Sequence, residues 1–239
     1  PTIGEKLLDA IFISTDYSNL LVKPPTQTWL TFLLRNRLVQ QHNQSYIDSY
    51  VNIQPHPQVP AGYLQIEVLE TSALEDIVQV SEIIQACDEM GVLFSLDDFG
   101  TGYASLTYLK RLAVAELKID QSFVHDMLDD PEDLAILEGV IGLANAFRRT
   151  VIAEGVETVE HGEMLLQLGC ELAQGYGIAY PMPADQLPGW SASWKAPLSW
   201  SGCAKVKHED LPLIYAMVEH RAWIEALKRY FEGRRSAPP

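Results

Sequence analysis

The sequence predicts an α/β protein built as a β/α barrel, on three observations. Short apolar runs ending in polar, mostly acidic, residues recur along the chain: Leu64–Glu70, Leu93–Gly102, Leu117–Asp120, Val151–Glu157 and, closing on an amide, Leu172–Tyr176. Successive runs lie about twenty to thirty-five residues apart, the length of a strand plus a returning helix. Their polar residues fall at the same end of each run, and on parallel strands that end is the mouth of a barrel. A chain of 239 residues suits one such barrel, which takes about 250.

In chain order, residues 1–60 form a divergent first part. Ala10–Ser14 and Asn19–Val22 are short apolar runs, Pro24-Pro25 breaks the chain, and Trp29–Leu34 is an apolar stretch that periodicity leaves as strand or helix. Gln40–Gln54 is polar and partly helical, ending at Pro55 and Pro57. Residues 61–190 make the barrel core. A strand at Tyr63–Val68 leads to a helix over Glu75–Met90, where Ile77, Val80, Ile83, Ile84 and Cys87 share one face and Gly91 ends it. The central strand runs from Leu93 into Asp97-Asp98, followed by a short helix over Ser105–Leu112 and a strand at Glu116–Ile119. Asp129-Asp130-Pro131-Glu132 starts a helix with acids suited to its dipole, and Leu134–Phe147 supplies its apolar stripe. A strand at Thr150–Ala153, a helix over Glu160–Leu168 stopped by Gly169, and a strand at Cys170–Ala173 complete the core. Residues 191–210 read as a linker. Residues 211–239 hold an amphipathic helix, with Ile214, Met217, Val218, Ile224 and Leu227 expected on one side.

A net charge of −15 argues against DNA or RNA as a partner, since polyanion binding needs clustered Lys and Arg. Apolar runs stay short of about eighteen residues and the start lacks a signal-peptide pattern, so no membrane segment is expected in this chain. Cys87, Cys170 and Cys203 are widely spaced and read as reduced thiols of a cytoplasmic protein.

Asp97 and Asp98 carry the first chemical signal. Adjacent carboxylates repel, and burying either alone costs several kcal/mol, of the order of an uncompensated ion leaving water. A hard divalent cation, Mg²⁺ or Mn²⁺, removes that cost through oxygen ligands. The alternative is an aspartate capping a helix start.

The segments Asp97-Asp98-Phe99-Gly100-Thr101-Gly102-Tyr103, Leu117-Lys118-Ile119-Asp120, Ala153-Glu154-Gly155-Val156-Glu157 and Gln174-Gly175-Tyr176 resemble the signatures of EAL domains, the cyclic di-GMP phosphodiesterases. The similarity spans roughly Gly62 to Leu187. It implies an EAL-type barrel that hydrolyses cyclic di-GMP to pGpG with two Mg²⁺ or Mn²⁺ ions. It makes Glu67, Asp97 and Asp98 metal ligands, and Glu154 a ligand or water-orienting acid. Lys118 would act on the water or the developing charge, against the alternative of a structural ion pair with Asp120 or Asp97. Glu70 and Glu157 become loop-positioning residues, although Leu69 stands where the family generally has threonine. Gln174, Tyr176 and Pro181 become substrate contacts, against a turn amide for Gln174 and a core aromatic for Tyr176.

The sequence departs from that family in residues 1–60, which lack a Glu-Ala-Leu triplet. Asn36 sits at about the spacing of the family's metal-binding asparagine, in an unfamiliar neighbourhood. Three readings follow: an active phosphodiesterase, a degenerate domain that serves as a nucleotide receptor or interaction module, or a regulatory scaffold. A homodimer and sensory or other signalling domains in a longer parent protein are the expected partners. The segment Glu219-His220-Arg221-Ala222-Trp223 is faintly similar to the opening of a chemoreceptor-type zinc-binding domain, with an unliganded surface His220 as the simpler reading.

Overall fold

Among the described residues, five parallel strands run side by side in chain order, with helices returning between them. The computed structural model describes residues 64–234, apart from 71–72, 74–76, 90, 103–105 and 184. The strands are β1 (Leu64–Leu69), β2 (Val92–Phe99), β3 (Glu116–Ile119), β4 (Thr150–Ala153) and β5 (Leu172–Ala173), hydrogen-bonded in the order β1-β2-β3-β4-β5. Sequential parallel neighbours joined by helices are the repeating unit of a β/α barrel. Asn36 and the rest of residues 1–60 lie outside the described residues.

The intervening helices are α1 (Ile77–Asp88), α2 (Leu106–Arg111), α3 (Gln121–Asp126), α4 (Pro131–Ala146) and α5 (Val159–Leu168). Their ends follow local chemistry. Asp130 accepts from the Glu132 amide and Pro131 opens α4; Thr158 accepts from the His161 amide at the start of α5; Gly169, at φ 90°, closes it. The short α3 lies where the hydrophobic pattern predicts no helix. Asp120 caps it, accepting from the Ser122 amide at 2.9 Å.

Strands flanked on both faces are apolar almost throughout. Leu117 and Ile119 of β3 are fully buried on one face, with Leu96, Ile84, Leu109, Leu112, Leu134, Leu137 and Leu165 in the same core. Each such side chain stabilises the fold by about 1.5–3 kcal/mol relative to leaving it exposed. The two-residue period of a strand then turns Lys118 to the opposite face, and it too is buried.

Beyond β5 come α6 (Leu187–Ser193) and α7 (Leu211–Phe231). Residues 191–210, expected as a linker, begin inside α6 and then lie against α5. The Trp200 indole donates to the Val159 carbonyl at 2.9 Å, and the Val206 amide donates to the Gln167 carbonyl at 2.8 Å. Helix α7 packs on α4 through buried Ile214 and Val218, and the Tyr215 hydroxyl donates to Glu138 at 2.7 Å. The expected five-residue stripe divides. Met217 is 65% exposed and Ile224 also faces out, because those five positions cover more of the helix circumference than one contact stripe. Among the described residues no helix is long and apolar enough to cross a membrane.

Candidate functional site

Three of the predicted acids converge on one amine. The Lys118 Nζ lies 2.8 Å from Glu67 of β1, 2.7 Å from Asp97 of β2 and 2.6 Å from Glu154 just beyond β4. All four side chains are shielded, the lysine being only 3% exposed. Register explains the convergence. Leu69 stands beside Asp97, Lys118 beside Ile152 and Ile119 beside Ala153, so the carboxyl ends of four strands meet at one rim. Between Leu96 and Phe99 the β2–β3 register shifts, and Asp98 takes a left-handed φ of 54°. Such an irregularity re-aims side chains. Here two successive aspartates both reach the rim instead of alternating across the sheet. The Gln174 amide, following β5, donates to Glu154 Oε1 at 2.6 Å.

Burial dominates the electrostatics. It raises the Glu67 and Glu154 carboxyls above their ordinary range, even though Lys118 pulls both down. Asp98 is raised by burial, then by the charges of Asp97 and Asp120 and a hydrogen bond with Asp120. For Lys118, burial works against the charge, but Glu67, Asp97 and Glu154 outweigh it and the ammonium is held more firmly than in water. One ammonium among three carboxylates leaves a buried excess of negative charge. Asp97, Asp98 and Glu154 offer oxygens that all lie within 4.8 Å of one another. An all-oxygen donor set with surplus negative charge fits a hard divalent cation.

The other predicted residues hold different places. Glu70 is fully buried behind the rim, where its Oε2 accepts from the Gly100 amide at 2.9 Å. The Tyr108 hydroxyl lies 3.4 Å from its backbone carbonyl, directed to donate to it. Glu157 is exposed and pairs with His125 at 3.7 Å, while its amide donates to His161 Nδ1 at 3.3 Å. Tyr176 is exposed and stacks on Tyr180 rather than joining the core. Pro181 is exposed on the same loop. His220 is exposed beside Trp223 on α7. Among the described residues, the one cluster suited to a metal is Asp97, Asp98 and Glu154.

Asp120, which the sequence offers as a partner for Lys118, instead faces Asp98 across the bulge. Tyr180 had only its spacing from Tyr176 to mark it, and turn geometry brings the two rings together.

Comparison with known proteins places this architecture. The EAL domain family model matches residues 16–181, more than half of the chain, and so reaches well upstream of Gly62. The bifunctional diguanylate cyclase/cyclic di-GMP phosphodiesterase MucR of Pseudomonas aeruginosa is 41% identical over 141 residues, which are 59% of this chain and 21% of MucR. The chain therefore matches about a fifth of that relative's length. The structure of the PaMucR phosphodiesterase in its c-di-GMP complex is 40% identical, with TM-score 0.57 over 62% of this chain and 60% of that one. The EAL domain of Mycobacterium smegmatis DcpA is 36% identical, with TM-score 0.58 over 66% of this chain and 71% of that one.

Proposed function

This chain belongs to the EAL domain family, and from that membership we propose that it is a cyclic di-GMP phosphodiesterase domain, opening one phosphodiester of the ring to give pGpG. One observation carries the reading: Glu67 of β1, Asp97 of β2 and Glu154 just beyond β4 meet a buried Lys118 at 2.8, 2.7 and 2.6 Å on the carboxyl rim. Asp97, Asp98 and Glu154 are the residues that would hold Mg²⁺ or Mn²⁺, with Glu67 and Asn36 as further candidate ligands. The cation supplies Lewis acidity toward the phosphate and toward water.

The chain's own residues supply position and charge. Lys118 and Gln174 both donate to Glu154 Oε1, which anchors that oxygen and leaves the other for a cation or a water. A carboxyl raised by burial is also a better proton acceptor than an exposed one. The Lys118 ammonium places a fixed positive charge where a pentavalent phosphate gathers negative charge. Glu70, through the Gly100 amide, ties the segment after the paired aspartates to the end of β1, and Glu157 has a comparable positioning role at the β4 loop. Gln174, Tyr176 and Pro181 form the substrate side of the rim.

Incubation with cyclic di-GMP and Mn²⁺ or Mg²⁺, followed by separation of nucleotides, tests the reading. The wild type should form pGpG, and Glu154→Gln should turn over about 10²–10⁴-fold more slowly. Absence of pGpG with either ion defeats it.

A second reading, a cyclic di-GMP receptor without turnover, has one observation in its favour: Lys118 already pairs all three carboxylates, so the rim carries an internal cation. Binding that survives a chelator, with no pGpG formed, selects this reading. Action on a bacterial second messenger fits the cytoplasm. The small fraction of MucR that is matched fits a domain joined to sensory or signalling modules, and a homodimer is the oligomeric state to test.

A further inference from the structure

We infer that Tyr180, paired with Tyr176, is the stacking platform for one guanine of the dinucleotide; this rests on the cyclic di-GMP reading of the same rim. Tyr176 is 58% and Tyr180 69% exposed. Their centroids are 4.7 Å apart and their planes 24° from parallel, a stack that leaves ring surface open to solvent.

The turn presenting them is stitched to the rim. The Val156 amide donates to the Gln174 carbonyl at 3.0 Å, the Gly177 amide to the Val156 carbonyl at 2.8 Å, and the Ile178 and Ala179 amides both to the Gly175 carbonyl at 3.0 Å. A Cβ at Gly175 would run into the Val156 backbone, and one at Gly177 would lie 2.7 Å from the Glu157 carbonyl. The tyrosines therefore stand on a backbone pressed against the loop that follows Glu154, two and six residues beyond Gln174 and its 2.6 Å bond to that acid. An aromatic pair so held keeps its geometry before the ligand arrives.

Charge explains why such a platform is needed. A dinucleotide brings two phosphates to an acidic rim on a chain of net charge −15, so attraction to the phosphates cannot carry affinity unaided. Stacking adds binding without charge, and a purine offers the larger π surface.

The test is equilibrium titration of the full 239-residue chain with cyclic di-GMP and with cyclic di-UMP, which keeps the ring of phosphates but carries smaller bases. Tyr180→Ala should weaken cyclic di-GMP binding about tenfold, in line with the loss of one base stack, and narrow the preference for guanine. Tyr180→Phe should stay within about twofold of wild type, since the ring and not the hydroxyl is used. In turnover, the alanine variant should raise KM with kcat little changed. Unaltered binding by Tyr180→Ala, or an equal loss in Tyr180→Phe, overturns the platform while leaving the site intact. If the wild type binds neither nucleotide, the reading of the rim fails and the platform fails with it. Binding without turnover leaves the platform standing.

Discussion

Two ion pairs in this molecule have the same length and different consequences. At the rim, Lys118 meets Asp97 at 2.7 Å; on the outside, Arg221 of α7 meets Asp129, in the turn between α3 and α4, at 2.7 Å. The first pair is shielded from water, at 3% and 11% exposure, and two further carboxylates crowd the same ammonium. The second is 56% and 54% exposed. Water screens the surface pair and hydrates each partner when they part, whereas a buried charge has nowhere to turn. Distance alone therefore does not rank them. Environment does, and it separates a site that holds charge under constraint from a contact that helps seat a helix.

Removing the amine is the most severe test of that contrast. Lys118→Met leaves Glu67, Asp97 and Glu154 buried beside one another, and breaking a buried pair costs about 3–5 kcal/mol. The pH dependence follows from signs. Lys118 is raised, so its stabilisation is complete below its ordinary value of 10.5 and is lost as pH rises through the higher folded value. Glu67 and Glu154 are also raised, so as acids they favour the fold when protonated. That contribution is present below about their ordinary 4.5 and is lost as pH climbs through the raised folded values. Without the ammonium those values climb further. Thermal melts should then show the variant closest to wild type near pH 5 and furthest below it near pH 8. A deficit that is the same at both pH values removes the claim that the carboxylates are charged in the fold.

A smaller loss is expected one layer behind the rim. A Cβ at Gly102 would sit 2.5 Å from Glu70 Oε1 and 2.9 Å from its Cδ. Glu70 is fully buried and anchored to the Gly100 amide, so it cannot swing aside. Gly102→Ala should cost about 1–3 kcal/mol, the usual range for overpacking, and, on the phosphodiesterase proposal, lower kcat by displacing the segment after Asp97 and Asp98. Gly139→Ala on the open face of α4 is the control. A Cβ there meets nothing within 4 Å, and alanine in a helix interior gains about 1 kcal/mol over glycine. If both variants melt alike, Glu70 is not the wedge its geometry implies.

The same contrast separates what the sequence displays from what it hides. Strand ends in acid are visible because alternation, glycine turns and carboxylates lie together in the chain; the choice of Glu67 over Glu70 and of Glu154 over Glu157 comes from the family resemblance, not from that pattern. The sequence leaves Lys118 a choice between Asp97 and Asp120 as an ion-pair partner. That choice belongs to strand register and to the β2 irregularity, both tertiary properties. Asp120 instead caps α3 and faces Asp98. Residues 191–210 looked like a linker because small and polar residues surround their tryptophans, yet Trp200 is held by a carbonyl of α5. On α7, hydrophobic spacing identified the helix but not the docked face, since partner contacts bury Ile214 and Val218 and leave Met217 in solvent.

The smallest expected effect closes the contrast from its other side. A double-mutant cycle on Arg221→Ala and Asp129→Ala should return a coupling of about 0.2–1 kcal/mol in low salt, the range for exposed pairs. In 1 M salt it should nearly vanish, because the screening length falls to about 3 Å. The buried apolar contacts of Ile214 and Val218 would still hold α7 against α4, so even the double variant should melt cooperatively with the rest of the chain. A coupling above about 2 kcal/mol that persists in high salt would mean that 2.7 Å matters more than exposure. The strength of the rim pairs would then rest on distance, because the shielding that distinguishes Lys118 would no longer explain why they matter.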